Sequence, residues 1–332
     1  MSAAMRTLVV SNSLDAHVDA IVPLLHERGC DPFRLDLDAF PRDYDVVHGG
    51  SCAGRDAMTH RPSGDCLDLK DVRSVWTRKN ADFSFSSELP AQELAFARME
   101  AEHVLSSLLL GLDCFWMNHP TASRGAIWKG EQLRRATRFG FRTPATIITN
   151  RPQAAIRFKS TAHGSVVYKP MSASDLGASA VAADARTTGV LPTTVIGAGE
   201  EVLLSAVSEV PCLFQAYVDK QYEVRATVIG DRVFAVRLDS QSDERTRIDS
   251  RDMSAPIRYE PADLPVEVES ACLAFVASYG LAFGAMDFVV TPGGEYVFLE
   301  NNPAGQFLYV QQLVPELDLA SAVADLLAWG AR

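Results

Sequence analysis

GAMDFVVTPGGEYVFLENNPAGQ, residues 284–306, is the stretch on which the reading of this chain turns. Asp287 sits in an apolar run, 283–290, that reads as a buried strand. Pro292-Gly293-Gly294 then supplies a turn, and a second apolar run at 296–299 delivers Glu300 and Asn302. Turn residues between two β-rich runs predict a hairpin. Successive side chains of a strand leave on opposite faces, so Glu300 and Asn302 project together if the strand persists that far, and a hairpin partner can bring Asp287 beside them. Two carboxylates and an amide oxygen at one end of a sheet are hard oxygen ligands, the kind Mg2+ takes when it also holds phosphates. A single acid on a strand is more simply a solvated hairpin end. The three together, flanked by Asn301, Pro303 and Gly305, favour a metal site.

Outward from the hairpin the chain alternates strand-like and helix-like patterns. Runs at 7–10 and 33–37 flank a helical pattern at 14–28 that Gly29 ends, a β-α-β order that predicts parallel pairing in a small α/β domain. A strand at 74–79, a long amphipathic helix at 90–112 and a short strand at 114–117 complete it. A helix near 122–139, strands at 146–149 and 165–169 around a helix at 152–159, and a small-residue stretch at 171–199 follow. From about 201 the chain is strand-heavy (213–218, 222–229, 233–239), then a helix at 265–279, the hairpin, and a last helix at 317–329. The plan is an α/β domain, 1–117, followed by two α+β lobes, 118–212 and 213–332.

Bulk properties exclude several classes. At 332 residues there is ample core, and 47% hydrophobic with 22% charged residues is ordinary for a globular protein. No apolar run reaches about 18 residues, so no membrane span is expected. The start, MSAAMRTLVVSNS, enters a strand-like run without a signal peptide's charged region and cleavage site, which predicts a cytoplasmic protein. The six cysteines are scattered with no C-x-x-C pair, and read as buried free thiols. A net charge of −11 argues against nucleic-acid binding, and an acidic substrate must meet a local basic patch.

Several basic residues are candidates for such a patch. Lys169 ends the run Ser-Val-Val-Tyr before Pro170 and the small-residue segment 171–177, a placement that can set an ammonium beside phosphates under a flexible flap. A lysine at a strand end is more often solvated, and Lys129 carries a similarly weak signal. The strand through Gln215, Tyr217 and Val218 can hydrogen-bond an adenine edge through its backbone, with Glu223 accepting from a ribose; a plain sheet strand is the alternative. Arg225 and Arg237 both fall inside apolar runs, where an unpaired charge is costly and a phosphate or carboxylate partner is expected. Arg245 and Arg247 read as loop charges. No G-x-S-x-G, H-E-x-x-H or G-x-G-x-x-G motif is present, so no nucleophilic mechanism is supported.

Lys129, Lys169, the strand of Gln215 to Val218, Arg237, Asp287, Glu300 and Asn302 occur in the order of an ATP-grasp ligase. Asn118-His119-Pro120, Phe214-Gln215-x-Tyr217-Val218-x-Lys220, the run from Val233 through Arg237 to Gln241, Asn302-Pro303-x-Gly305-Gln306 and Val75-Trp76-x-Arg78-Lys79 resemble the graspetide synthetases, microviridin-type enzymes that macrocyclise ribosomal peptides. The resemblance implies an ATP-grasp fold with an N-terminal pre-ATP-grasp domain and two lobes enclosing the nucleotide. It implies ATP and Mg2+ as cofactors, Asp287, Glu300 and Asn302 as metal ligands, and Lys129 and Lys169 on the phosphates. Arg237 would face the transferring phosphoryl group, with Arg225, Arg251 and Asp239 near the substrate. It further implies a precursor peptide, leader plus acidic core, as partner, and homodimers. Asp249-Ser250-Arg251 resembles the family's acidic-x-Arg element, although its middle residue is often aromatic there. Asn301 stands where the family usually has an apolar residue. Two other readings remain: a ligase that adds a residue to a peptide terminus, and a peptide-binding homologue without catalysis, against which the intact set of ligands and lysines argues.

Overall fold

Leu8, Val9 and Val10, at 0, 0 and 5% exposure, are apolar and covered on both faces, the pattern of an inner parallel strand. They belong to β1 (Met5–Ser11), which pairs in parallel with β2 (Cys30–Asp36) and β6 (Val72–Thr77); β6 in turn pairs in parallel with β7 (Phe115–Met117), giving the order β2-β1-β6-β7. The expected crossover helix is α1 (Ala16–Glu27), capped by the Asp15 carboxylate on His17 N and followed by Gly29 at φ 76°. The computed structural model describes residues 5–49, 56–162, 164–172, 191–197, 199–251 and 254–330. Of the segment read as a phosphate flap, 173–177 lie outside the described residues, as does Cys52. Sequence reading missed a small antiparallel sheet of β3 (Tyr44–Val47), β4 (Ala57–His60) and β5 (Cys66–Asp68), whose strands are too short to show a period. The long helix α2 (Ala91–Leu110) follows β6 as expected. Of the described cysteines only Cys30 and Cys272 are buried, Cys114 and Cys212 are half-buried and Cys66 is exposed, which corrects the expectation of uniformly buried thiols.

The expected helix at 122–139 is two helices, α3 (Pro120–Gly125) and α4 (Lys129–Arg138), broken because Trp128 takes an extended conformation at φ −81°, ψ 100°. Lys129 therefore stands at the first turn of a helix instead of in its interior. Next come β8 (Thr146–Thr149), α5 (Pro152–Thr161), β9 (Val166–Lys169), β10 (Thr194–Ile196) and β11 (Cys212–Ala216), a sheet in the order β10-β9-β11-β8 over a core of Ala155, Val166, Leu204, Val207 and Phe214. A five-stranded sheet follows, β14-β13-β12-β15-β16, from β12 (Tyr222–Ile229), β13 (Arg232–Leu238), β14 (Tyr259–Pro261), β15 (Phe283–Val290) and β16 (Tyr296–Asn302), with α6 (Val266–Ala277) between β14 and β15. Phe275 of α6 packs on Phe298, at 5.2 Å between ring centroids, and Phe288 on Phe298 at 5.8 Å, so one face of the hairpin is sealed by aromatic rings. The chain ends in α7 (Leu308–Leu313) and α8 (Leu319–Gly330).

Contacts gather the chain into two units: residues up to 123 with 280–283 and 303 onward, and residues 124–279 with 284–302. In the first, α1 packs on α8, and Asn118 ties the returning segments together. Its Nδ2 donates to Phe283 O at 2.8 Å and Pro303 O at 2.9 Å, while its Oδ1 accepts from Ala282 N at 2.8 Å and Phe283 N at 3.0 Å. The buried amide thereby satisfies the carbonyls of Phe283 and Pro303, which would otherwise lack a donor at this depth. Among the described residues no helix is long and apolar enough to cross a membrane.

Candidate active site

The second unit carries every residue of the expected nucleotide and metal site. Asp287 and Glu300 are register partners across the hairpin, and Ala285 faces Asn302, so the two carboxylates and the amide share one face as expected. What brings Glu300 there is an irregularity the sequence does not show. Register runs Asp287↔Glu300 and then Phe288↔Phe298, leaving Leu299 as an extra residue on β16. Without it Glu300 would lie on the face of Phe298, against the aromatic core. With it the ring goes under and the carboxylate over.

Cations converge on this pair. Lys129 Nζ lies 3.2 Å from Glu300 Oε2 and donates to Pro170 O at 2.8 Å. Lys169, the last residue of β9, is held below the usual lysine range by burial, with Glu300 opposing that shift and Lys129 adding to it. Arg225 Nη1 reaches both Asp287 oxygens at 2.9 Å. Burial pushes the Asp287 carboxyl above its ordinary range; Arg225 opposes this, and the charges of Glu300 and Glu223 add to it. Burial acts on Glu300 in the same direction, but Lys129 and then Lys169 outweigh it and hold that carboxyl low. Glu223, two residues before Arg225, accepts from Lys220 Nζ at 2.6 Å and from Ser250 Oγ at 2.9 Å. Lys220, with 4% of its side chain exposed, and Ser250 were not among the expected site residues; the Lys220–Glu223 spacing of three was the available signal.

Other expected residues fall differently. Arg237 pairs in register with Val224, and Arg225 with Val236, so the two arginines leave the sheet on opposite faces. The Arg237 guanidinium lies 4.2 Å over the Tyr222 ring, and its Nε is buried with no hydrogen-bond partner among the described residues. The structure thus does not bring Arg237 to Asp287; the arginine on that face is Arg225. Gln215 is buried in the sheet, donating to Thr146 Oγ1 at 3.1 Å. Tyr217 N donates to Ser165 O at 2.8 Å and its hydroxyl to Arg247 O at 3.0 Å, and Val218 follows in the connection to β12. Arg251 Nε donates to Asp249 at 2.7 Å; this pairing, with the electrostatic pull of Glu300 and Asp287, raises Arg251 above its ordinary range.

The donor set fits a divalent cation. Among the described residues no three His, Cys, Asp or Glu side chains form a ready-made cage, but two carboxylates with an amide oxygen suit an ion that takes its remaining ligands from water and phosphate. A third of the Asp287 side chain and 39% of that of Glu300 remain open to solvent, so a cation can reach both carboxylates.

The MvdD pre-ATP grasp domain matches residues 6–124. Over 97% of its length the chain is similar to the macrocyclase MdnC of Microcystis aeruginosa, solved with its precursor peptide MdnA, at 25% identity, TM-score 0.83 and 98% of that chain covered. It is similar to a RiPP-associated ATP-grasp ligase of Chryseobacterium gregarium, solved with ADP and a leader and core peptide, at 28% identity and TM-score 0.87, with 97% and 96% of the two chains covered. The macrocyclase MdnB of Microcystis aeruginosa aligns at 27% identity and TM-score 0.78 over 98% of this chain and 99% of its own. No curated protein matches by sequence.

Proposed function

We propose that this chain, a member of the graspetide-synthetase family of ATP-grasp ligases, uses ATP to close macrocycles in a ribosomally made precursor peptide. The observation that carries the reading is the meeting of Lys129, Lys169 and Arg225 with the paired Asp287 and Glu300 in one unit. The full-length likeness to macrocyclases solved with precursor peptide, and to a ligase solved with ADP, leader and core, supports it.

Lys129 and Lys169 neutralise the phosphates of ATP, and Arg225 faces the γ-phosphoryl group as its charge redistributes. Mg2+ held by Asp287, Glu300 and Asn302 would supply further charge neutralisation across the phosphates. An Asp or Glu carboxylate oxygen of the core attacks the γ-phosphorus and ADP leaves, giving an acylphosphate. A Ser or Thr hydroxyl, or a Lys amine, of the same peptide then attacks the acyl carbon and phosphate leaves, so each ω-ester or ω-amide ring loses one water overall. Gln215, Tyr217, Val218 and Glu223 line the adenosine side. Arg251, already paired with Asp249, meets the acidic core. A cytoplasmic setting, where ATP and newly made peptide coexist, belongs to the same proposal.

Incubating the chain with a precursor peptide, ATP and Mg2+ and reading intact mass tests it. Successive ATP-dependent losses of one water are expected; a gain of one residue would instead indicate a terminal ligase. Glu300→Ala is expected to abolish product while circular dichroism stays native, since 39% of that side chain is exposed and its removal opens no core. Undiminished turnover by the folded variant would remove the metal assignment.

A further inference from the structure

The strand bearing Glu300 and Asn302 is the outermost of its sheet, so among the described residues its outer edge has no strand to pair with. Near Val297 that edge runs beside Arg142, whose carbonyl accepts from Phe298 N at 2.8 Å. At Asn301, between the two ligands, it is closed by a side chain. Gln132 of α4, 2% exposed, donates from Nε2 to Asn301 O at 2.9 Å and accepts from Asn301 N at 2.8 Å through Oε1. The same Nε2 donates to Ala126 O at 2.6 Å. Both backbone groups of a buried edge peptide are thereby satisfied, and the pattern of two donated bonds and one accepted allows only one orientation of the amide.

We propose that Gln132 is a positioning residue for the metal ligands. It acts as a one-residue strand that fixes the plane of the Asn301 backbone and so the directions in which Glu300 and Asn302 leave the chain. It also joins them to the phosphate-binding cation: Gln132 lies three residues after Lys129, on the same side of α4, and Lys129 meets Glu300 at 3.2 Å. One amide thus sets the spacing between a lysine on a helix and two ligands on a strand distant in sequence. A packing role would be served by any isosteric side chain; the paired bonds to Asn301 would not. This inference rests on the ligase reading above.

The test is calorimetric titration of ADP into the full chain, once with Mg2+ and once with EDTA, together with amide hydrogen exchange of the metal-free protein. Wild type is expected to bind ADP more tightly with Mg2+. In Gln132→Met the affinity gained from Mg2+ is expected to fall about tenfold, the usual loss when a residue that orients metal ligands is removed. Its affinity in EDTA should fall by less than its affinity with Mg2+, and exchange at the Asn301 amide should quicken. Gln132→Asn, which withdraws the amide by one methylene, carries the same expectation if the Met variant does not fold. Val207→Ala, in the core of the other sheet, serves as a control for melting temperature and should keep the full Mg2+ gain. The proposal is overturned if a Gln132 variant with an opened Asn301 amide keeps that gain, or if Val207→Ala loses it equally. Absence of any Mg2+ effect in wild type would overturn the ligase reading itself, and this inference with it.

Discussion

Asn301 shows how the hairpin divides its residues. Its backbone is held by Gln132, while its side chain, 3% exposed, has Nδ2 and Oδ1 both without partners among the described residues. A Cβ added at Gly284 would stand 2.6 Å from that Oδ1, so the amide is wedged against a bare backbone. Each unmade buried hydrogen bond costs about 1–3 kcal/mol. Asn301→Val, β-branched and suited to a strand, is therefore expected to stabilise the protein by about 1 kcal/mol in thermal unfolding. A loss of stability would show that the amide is satisfied by water. At this scale the meeting of Asp287, Glu300 and Asn302 on one face was legible, because hard oxygen donors are rare on buried strands. The division of labour between Arg225 and Arg237 was not, because both lie in apolar runs. Only the pairing of Ile229 with Arg232 around the turn decides which arginine faces Asp287.

Among elements, the segment joining β16 to α7 is held in the first unit by side chains from α1 and from the loop after β6. Arg78 Nη1 donates to Ala304 O at 3.1 Å and Gly305 O at 3.3 Å, and His17 Nε2 accepts from Phe307 N at 3.2 Å. His17 must be neutral to accept there, and burial holds its imidazole below the ordinary range against the pull of Asp15. The folded pKa is thus lower than the unfolded one. As pH falls through about 6.5 the unfolded chain takes up the proton first, and stability present above that pH is lost below it. The melting temperature should fall between about pH 7.5 and 5.5, and His17→Gln, which cannot titrate, should flatten that slope. Sequence reading found most elements because their hydrophobic periods are long enough to recognise. It merged α3 with α4, since the break is a backbone choice at Trp128, and missed the Leu299 irregularity, since register is a property of two strands.

For the whole molecule, the β-α-β start and the closing hairpin were legible, but not that the last segment returns to the first unit. Leu319, Val323 and Leu327 of α8 are each fully buried there, in a unit whose other residues lie mostly before position 124. Burying three such side chains contributes about 6 kcal/mol, of the order of a domain's entire net stability. Residues 1–123 expressed alone are therefore expected to be unfolded by circular dichroism, and joining 303–332 through a flexible linker should restore a cooperative melt. A folded 1–123 fragment would show that α8 is dispensable.

The extra residue at Leu299 makes the site a matter of parity. Beyond it, even-numbered positions of β16 look toward the lysines and odd-numbered ones toward the interior, as Asn301 does. Substitutions can tune such an arrangement by degrees, whereas losing one residue anywhere between Leu299 and Asn302 exchanges inside for outside in a single step. The tolerance of this strand is therefore graded for side-chain identity and all-or-none for length, and variation in chain length has to be absorbed in the turn at 291–295 instead.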